Sequence, residues 1–232
     1  MKNIFRTIVF LLATVLVTSC QDITTKGVTR ITYYCTLALK GNPVEFVALG
    51  GTYNDPGWTA ENNGTDVSDQ VTIAGSVNAN AAGLYTLTYS ILNSDGFAKT
   101  ASRQVVVYDT TPSGIGSGFY DVSPNSNRNG TTIYGGAFTI LIYQISPGKF
   151  YVSDLFGGYY EQRAGYGSNY AMVGHISLAA DNTITLLDSH VAGWGDSLDG
   201  MTGGSCDPDT NTVQWTASYA GAYNFNVTAT LQ

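Results

Sequence analysis

Beyond its N-terminal leader the chain sustains no apolar repeat at the helical period of roughly 3.6 residues. Short alternating or β-branched runs recur instead, broken by Gly, Asn, Asp and Pro. The clearest is Leu84-Tyr85-Thr86-Leu87-Thr88-Tyr89, which sets Leu84, Thr86 and Thr88 on one side and Tyr85, Leu87 and Tyr89 on the other. The pattern predicts strands over residues 30–39, 44–48, 71–76, 84–92 and 98–108, then over 118–122, 138–146, 150–153, 172–178, 183–188, 212–219 and 223–231. Asn93-Ser94-Asp95-Gly96 is a turn that makes a hairpin of the runs on either side. The expected fold is all-β, in two halves joined near residue 110.

The leader itself reads as an export signal. Lys2 and Arg6 precede an apolar stretch from Ile8 to Val17, too short to span a bilayer, which needs roughly 20 apolar residues. It ends in Leu16-Val17-Thr18-Ser19-Cys20, which resembles the lipobox of bacterial lipoproteins. That resemblance implies cleavage before Cys20, acylation of Cys20 and an outer-membrane lipoprotein held by its N-terminal lipid. Asp22 gives a thin version of the acidic signal that sends Bacteroidetes lipoproteins to the cell surface, so surface exposure is favoured over the periplasmic face. The net charge of −7 and a pI near 4.5 exclude a nucleic-acid partner, which needs a basic surface.

Gly51-Thr52-Tyr53-Asn54-Asp55-Pro56-Gly57-Trp58-Thr59-Ala60, then Val67-Ser68-Asp69-Gln70-Val71-Thr72, then Gly83-Leu84-Tyr85-Thr86-Leu87-Thr88-Tyr89 follow one another in the first half. In this order they resemble the immunoglobulin-like (Ig-like) domain of bacterial surface and pesticidal crystal proteins. The resemblance implies a β-sandwich over residues 27–109 that serves as a spacer or adhesion module, with no catalysis. Tyr33-Tyr34-Cys35 departs from the family's Pro-containing entry. Physically, Asp55-Pro56-Gly57 is a turn, and Tyr85 and Tyr89 are core residues whose hydroxyls reach backbone partners. The expected organisation is a signal peptide over 1–19, a lipidated tether over 20–26, the sandwich, a linker over 110–114, and a Gly/Tyr-rich β domain over 115–232. That last domain is a second sandwich or a small barrel. Tyr151 to Tyr160, Trp194-Gly195-Asp196 and Asn224-Phe225-Asn226-Val227 resemble the C-terminal domain of Bacteroidetes lipoproteins that carry an Ig-like domain first. This implies architecture and address, and no activity.

Catalytic signals are sparse. His175, His190, Glu45, Glu61 and Glu161 form no nucleophile elbow, zinc helix or phosphate loop, and the carboxylates Asp154, Glu161, Asp188 and Asp196 show no pairing in sequence. Asp207-Pro208-Asp209-Thr210-Asn211 begins like a calcium loop, but Thr212 and Ser218 stand where its Gly and Glu belong, so a hairpin turn is expected. No catalytic residue, metal or cofactor is expected. Cys35 and Cys206 remain as a domain-stapling disulfide or as two buried thiols.

The candidate binding residues are aromatic. Tyr159, Tyr160, Tyr166 and Tyr170 sit among Gly and Ser, and Trp194 follows. Flat rings stack on sugars while Arg163 and Asp196, with Glu161, Gln162 and Asn169 nearby, supply hydrogen bonds to hydroxyls. The competing reading is core packing, which Tyr often serves in β proteins. Trp215, alternating with Val213, reads as core. Thr110, in Asp109-Thr110-Thr111, fits the Bacteroidetes O-glycosylation pattern, as Ser197 does less well. The favoured function is a non-catalytic accessory that binds a polysaccharide. The rivals are a structural subunit docking an outer-membrane protein partner and, behind it, a glycan hydrolase.

Overall fold

The structure, a computed structural model, describes residues 31–134 and 136–232. The export signal, Cys20 and the tether lie outside the described residues. The fold is all-β.

Seven strands form the first half: β1 Thr36–Leu39, β2 Val44–Ala48, β3 Trp58–Asn62, β4 Thr65–Asp66, β5 Thr72–Ala74, β6 Gly83–Leu92 and β7 Ala98–Tyr108. They make two sheets, β1-β3-β4 and β2-β7-β6-β5, with β2 parallel to β7 and the other pairs antiparallel. The alternation in β6 holds: Leu87, Tyr89 and Ile91 are buried while Leu84 and Thr86 face solvent. Val47, Leu87, Tyr89, Val105 and Val107 form the centre of the core. The hairpin β6–β7 closes through Asn93, whose N–H donates to Phe97 O at 3.0 Å, with Gly96 at φ +84°.

β3 is a strand that the sequence reading passes over, because it follows directly on a turn. Asp55 Oδ1 accepts the Gly57 N–H at 2.8 Å and Gly57 takes φ +91°, which releases Trp58 into the strand. The same carboxylate meets Arg103 Nη1 at 2.7 Å, and its other oxygen accepts the Tyr89 hydroxyl. Arg103 also donates to Lys40 O and lies 3.5 Å from the Tyr53 hydroxyl. Tyr53, Asp55, Gly57 and Tyr89 of the signature therefore converge on one buried arginine. Tyr85 reaches a backbone partner, Ala81 O at 2.8 Å, whereas Tyr89 reaches a side chain instead.

Ten strands make the second half: β8 Gly118–Val122, β9 Asn127–Arg128, β10 Thr132–Ile133, β11 Thr139–Ser146, β12 Lys149–Val152, β13 Val173–Leu178, β14 Ile184–His190, β15 Gly200–Asp207, β16 Thr212–Tyr219 and β17 Tyr223–Leu231. They belong to one antiparallel sheet in which β14-β13-β12-β11-β8-β17-β16-β15 runs continuously, while β9 and β10 extend from β17. The sheet coils until its ends touch, through the bridge Thr183↔Ser205 and the Cys206 N–H to Asn182 O at 2.9 Å. β15 contains Gly203 and Gly204 at a bulge, and a Cβ on Gly204 would overlap the Ile184 carbonyl oxygen. Asp207–Asn211 is the hairpin turn from β15 to β16, with Asp207 Oδ1 accepting the Asp209 N–H at 3.0 Å.

Cys35 and Cys206 are unpaired buried thiols, one in each domain's core, so the stapling disulfide does not form. Burial raises the Cys206 pKa. Instead, a seam joins the halves. Val106, Leu141 and Tyr143 are buried together, and Phe46 meets Phe119 edge-on at 5.8 Å. The Asp109 N–H donates to Gln144 O at 2.8 Å, and Gln144 Nε2 donates to Asp109 Oδ1 at 3.2 Å and Thr111 O at 3.0 Å. The segment at 110–114 is thus tied down at its start. Thr110 is exposed there.

Candidate functional site

The aromatic candidates lie on two loops, one from β12 to β13 and the other from β14 to β15. The first opens on Asp154, which is fully buried. Its carboxylate accepts N–H bonds from Phe156 at 2.8 Å, Gly158 at 2.9 Å and Met172 at 3.0 Å. Both ends of the loop are tied to this one side chain. Burial pushes its pKa up to about 7, against the three N–H donors that favour its charge.

Gly157 and Gly158 then turn with positive φ into one π-helical turn, Tyr159–Arg163. The sequence reading of this stretch is an irregular loop; the tight turn comes from the Arg163 N–H to Gly158 O bond of 2.9 Å. Adjacent rings are sent to different environments. Tyr159 is 5% exposed and packs on Tyr134 and Phe225, with the Arg163 guanidinium 5.1 Å and that of Arg128 4.7 Å from its ring centre. Tyr159 therefore belongs to the core and presents no face to solvent, which corrects its place among the binding residues. Arg163 covers that ring while remaining exposed.

Tyr160, half-buried, lies 4.9 Å from the Tyr159 ring, packs on Phe156 and Phe225, and meets Trp194 edge-on at 4.8 Å. Tyr170 contacts Trp194 at 4.9 Å and Tyr166 at 5.4 Å, and Tyr166 lies nearly parallel to Tyr160 at 6.1 Å. Tyr160, Tyr166, Tyr170 and Trp194 thus form one cluster that joins the core through Tyr159, with Tyr166 56% and Trp194 41% exposed. The loops are joined where the Gly193 N–H donates to Asn169 O at 2.6 Å. Gly193 lies so close under the Tyr170 ring that a Cβ there would stand 2.6 Å from it. Trp194 stacks on Tyr219 at 6.0 Å, and the Tyr219 hydroxyl donates to both carboxylate oxygens of Asp196, at 3.0 and 2.9 Å. Burial, with Asp196 second, raises the Tyr219 pKa. Tyr219 is a residue the sequence reading misses; its alternation with Trp215 and Ala217 on β16 marks it as inward-facing.

The other candidates fall elsewhere. His175 Nδ1 and Asp188 Oδ1 lie 2.8 Å apart on the outer face of β13 and β14, and among the described residues no nucleophile is hydrogen-bonded to them. Glu161 lines a groove of about 320 Å³ between the two halves, beside Leu84, Gln104, Tyr151 and Gln162. Partial burial raises the Glu161 pKa. Trp215 is core, its indole N–H donating to Leu155 O at 2.8 Å.

A family model for the bacterial surface protein Ig-like domain matches residues 37–107, and a second, for a C-terminal domain, matches residues 109–231. The crystal structure of the lipoprotein BT2262 from Bacteroides thetaiotaomicron superposes with a TM-score of 0.80 at 46% identity, covering 85% of this chain and all of that one. A Clostridium perfringens ZmpB structure, described as an M60 catalytic domain with two CBM51 domains, matches 53% of this chain and 15% of its own at 16% identity. Its TM-score is 0.30. No curated protein matches the chain.

Proposed function

The chain belongs to the family of the Bacteroides lipoprotein BT2262 and carries a bacterial-surface Ig-like domain, and from that premise we propose that it is an outer-membrane lipoprotein that displays a non-catalytic glycan-binding surface. Cys20 is the acylated residue in this reading, and the Ig-like sandwich is the spacer that carries the second β domain outward. Among the described residues no helix is long and apolar enough to cross a membrane.

The observation that carries the binding role is the convergence of Tyr160, Tyr166, Tyr170 and Trp194 on one surface, with the last loop held against the first. The exposed rings of Tyr166 and Trp194, backed by half-buried Tyr160 and Tyr170, lose little entropy on stacking against the C–H faces of a sugar. Asp196 beside them accepts hydrogen bonds from hydroxyls. The non-catalytic part of the reading is supported by the burial of Asp154, whose carboxylate is taken up by three backbone N–H groups of its own loop. Affinity electrophoresis on a panel of polysaccharides tests it. Retardation by at least one glycan, lost in Trp194→Ala, supports it. No retardation across the panel, together with capture of an outer-membrane protein through the same rings, would replace it with the interaction-subunit reading.

A further inference from the structure

A second exposed apolar surface lies at the opposite pole of the Ig-like domain. Tyr34, Leu92 and Phe97 are 67%, 61% and 50% exposed, and Ile31 and Tyr33 are exposed beside them in the chain. They form a built surface. The rings of Tyr34 and Phe97 are 5.4 Å apart. Buried Asn93 joins the chain entry to the hairpin tip: its Nδ2 donates to Tyr33 O at 2.8 Å, and its Oδ1 accepts the Phe97 N–H at 2.8 Å. A monomer in water gains nothing by fixing Tyr33, Tyr34, Leu92 and Phe97 outward around one buried asparagine.

The position of this pole in the chain says what covers it. β7 starts at Ala98, beside the patch, and ends at Tyr108, one residue before Asp109 bonds to the second domain. Its eleven residues span about 35 Å, so the patch and the second domain sit at opposite ends of one strand. The patch is also where the described chain begins. Cys20 lies eleven positions before Ile31, a reach of at most about 40 Å when fully extended. An acyl chain on Cys20 would hold the patch permanently near the bilayer, at a high effective concentration. Tyr33 and Tyr34, with exposed Lys99 nearby, suit the headgroup layer, which accepts amphipathic rings and attracts cations, and Leu92 and Phe97 suit its boundary with the acyl chains.

We infer that Tyr33, Tyr34, Leu92 and Phe97 rest in the headgroup layer of the membrane that holds the lipid anchor, so that the Ig-like domain stands on the bilayer and turns the second domain away from it. This rests on the reading of Cys20 as acylated. The test uses the native acylated chain in phosphatidylethanolamine–phosphatidylglycerol vesicles that contain a lipid quencher near the headgroups. The Phe97→Trp and Tyr34→Trp variants each add one emitter to the three native tryptophans, and Leu187→Trp, on exposed β14 of the second domain, is the control. The added emission of Phe97→Trp and Tyr34→Trp should fall about twofold or more, and that of Leu187→Trp should not. Flotation with the vesicles without quenching at either site overturns the inference and leaves the anchor standing. A chain that does not float and lacks acyl mass overturns the anchor, and this inference with it. A blue shift that depends on protein concentration in detergent alone assigns the patch to a second copy and also overturns it.

Discussion

Arg103 and Asp55 form an ion pair of 2.7 Å in which the arginine is wholly shielded from water. The Tyr53, Tyr89 and Lys40 partners around them account for a signature that in the sequence looks like a turn and two core tyrosines. Breaking such a pair from one side leaves a charge stranded, at about 3–5 kcal/mol. Asp55→Ala should therefore lower the urea midpoint of the chain sharply. Replacing both partners with apolar residues should recover part of the loss, because no charge is left behind. Equal midpoints for Asp55→Ala and the wild type would remove the pair from the account of this fold.

Asp154 makes stability depend on pH with a defined sign. Its folded pKa is raised to about 7 by burial, above the ordinary carboxylate value of 3.8. Between those values the folded chain holds a proton that the unfolded chain releases. Its contribution to stability is therefore greatest below about pH 4, falls as pH rises, and levels off above about pH 7. Asp154→Asn should flatten that slope in thermal melts taken across the range. An unchanged slope in the variant would assign the dependence to other groups.

Neighbouring tyrosines should separate cleanly by phenotype. Tyr159→Ala removes a buried ring and should cost about 3–5 kcal/mol of stability. Tyr166→Ala touches an exposed ring and should leave the melting temperature within a few degrees. On a retarding polysaccharide gel, Tyr166→Ala should migrate faster than the wild type by severalfold in apparent Kd. A Tyr166→Ala protein that binds as well as the wild type would exclude this ring from the contact.

The seam between the halves should make them melt together. Leu141 and Tyr143 are buried against Val106, and Gln144 holds Asp109 and Thr111. Calorimetry of the full chain should show one transition, and Tyr143→Ser should split it in two. Two transitions in the unaltered chain would contradict the coupling.

Gly204 should tolerate no side chain. A Cβ there meets the Ile184 carbonyl, which is backbone and cannot swing aside. Gly204→Ala should destabilise the second domain, read as a lowered melting temperature, whereas Gly130→Ala, with open space around its Cβ direction but φ of +71°, should cost only its backbone strain.

Much of the strand framework was legible in the chain itself, because alternation with a period of two is a local property. β6, β7, β16 and β17 follow from it nearly residue for residue, as does the Asp55-Pro56-Gly57 turn. β15 was not legible, since its glycines carry no side-chain pattern and Gly204 is required only because Ile184 of β14 passes close by. The chain also indicated which rings to consider, but not where they go. Tyr159 and Tyr160 are adjacent and chemically identical, and a π-helical turn buries one and leaves the other half-buried against Trp194. Trp194 joins Tyr160, Tyr166 and Tyr170 only because Gly193 lets two distant loops touch. Arg103 looks like any strand cation until a carboxylate 48 residues earlier is folded against it. The sequence by itself determined the β framework through local periodicity and turn chemistry; the buried ion pair, the closure of the sheet and the aromatic surface were decided by contacts between segments far apart in the chain, whose energies exist only once the chain has folded.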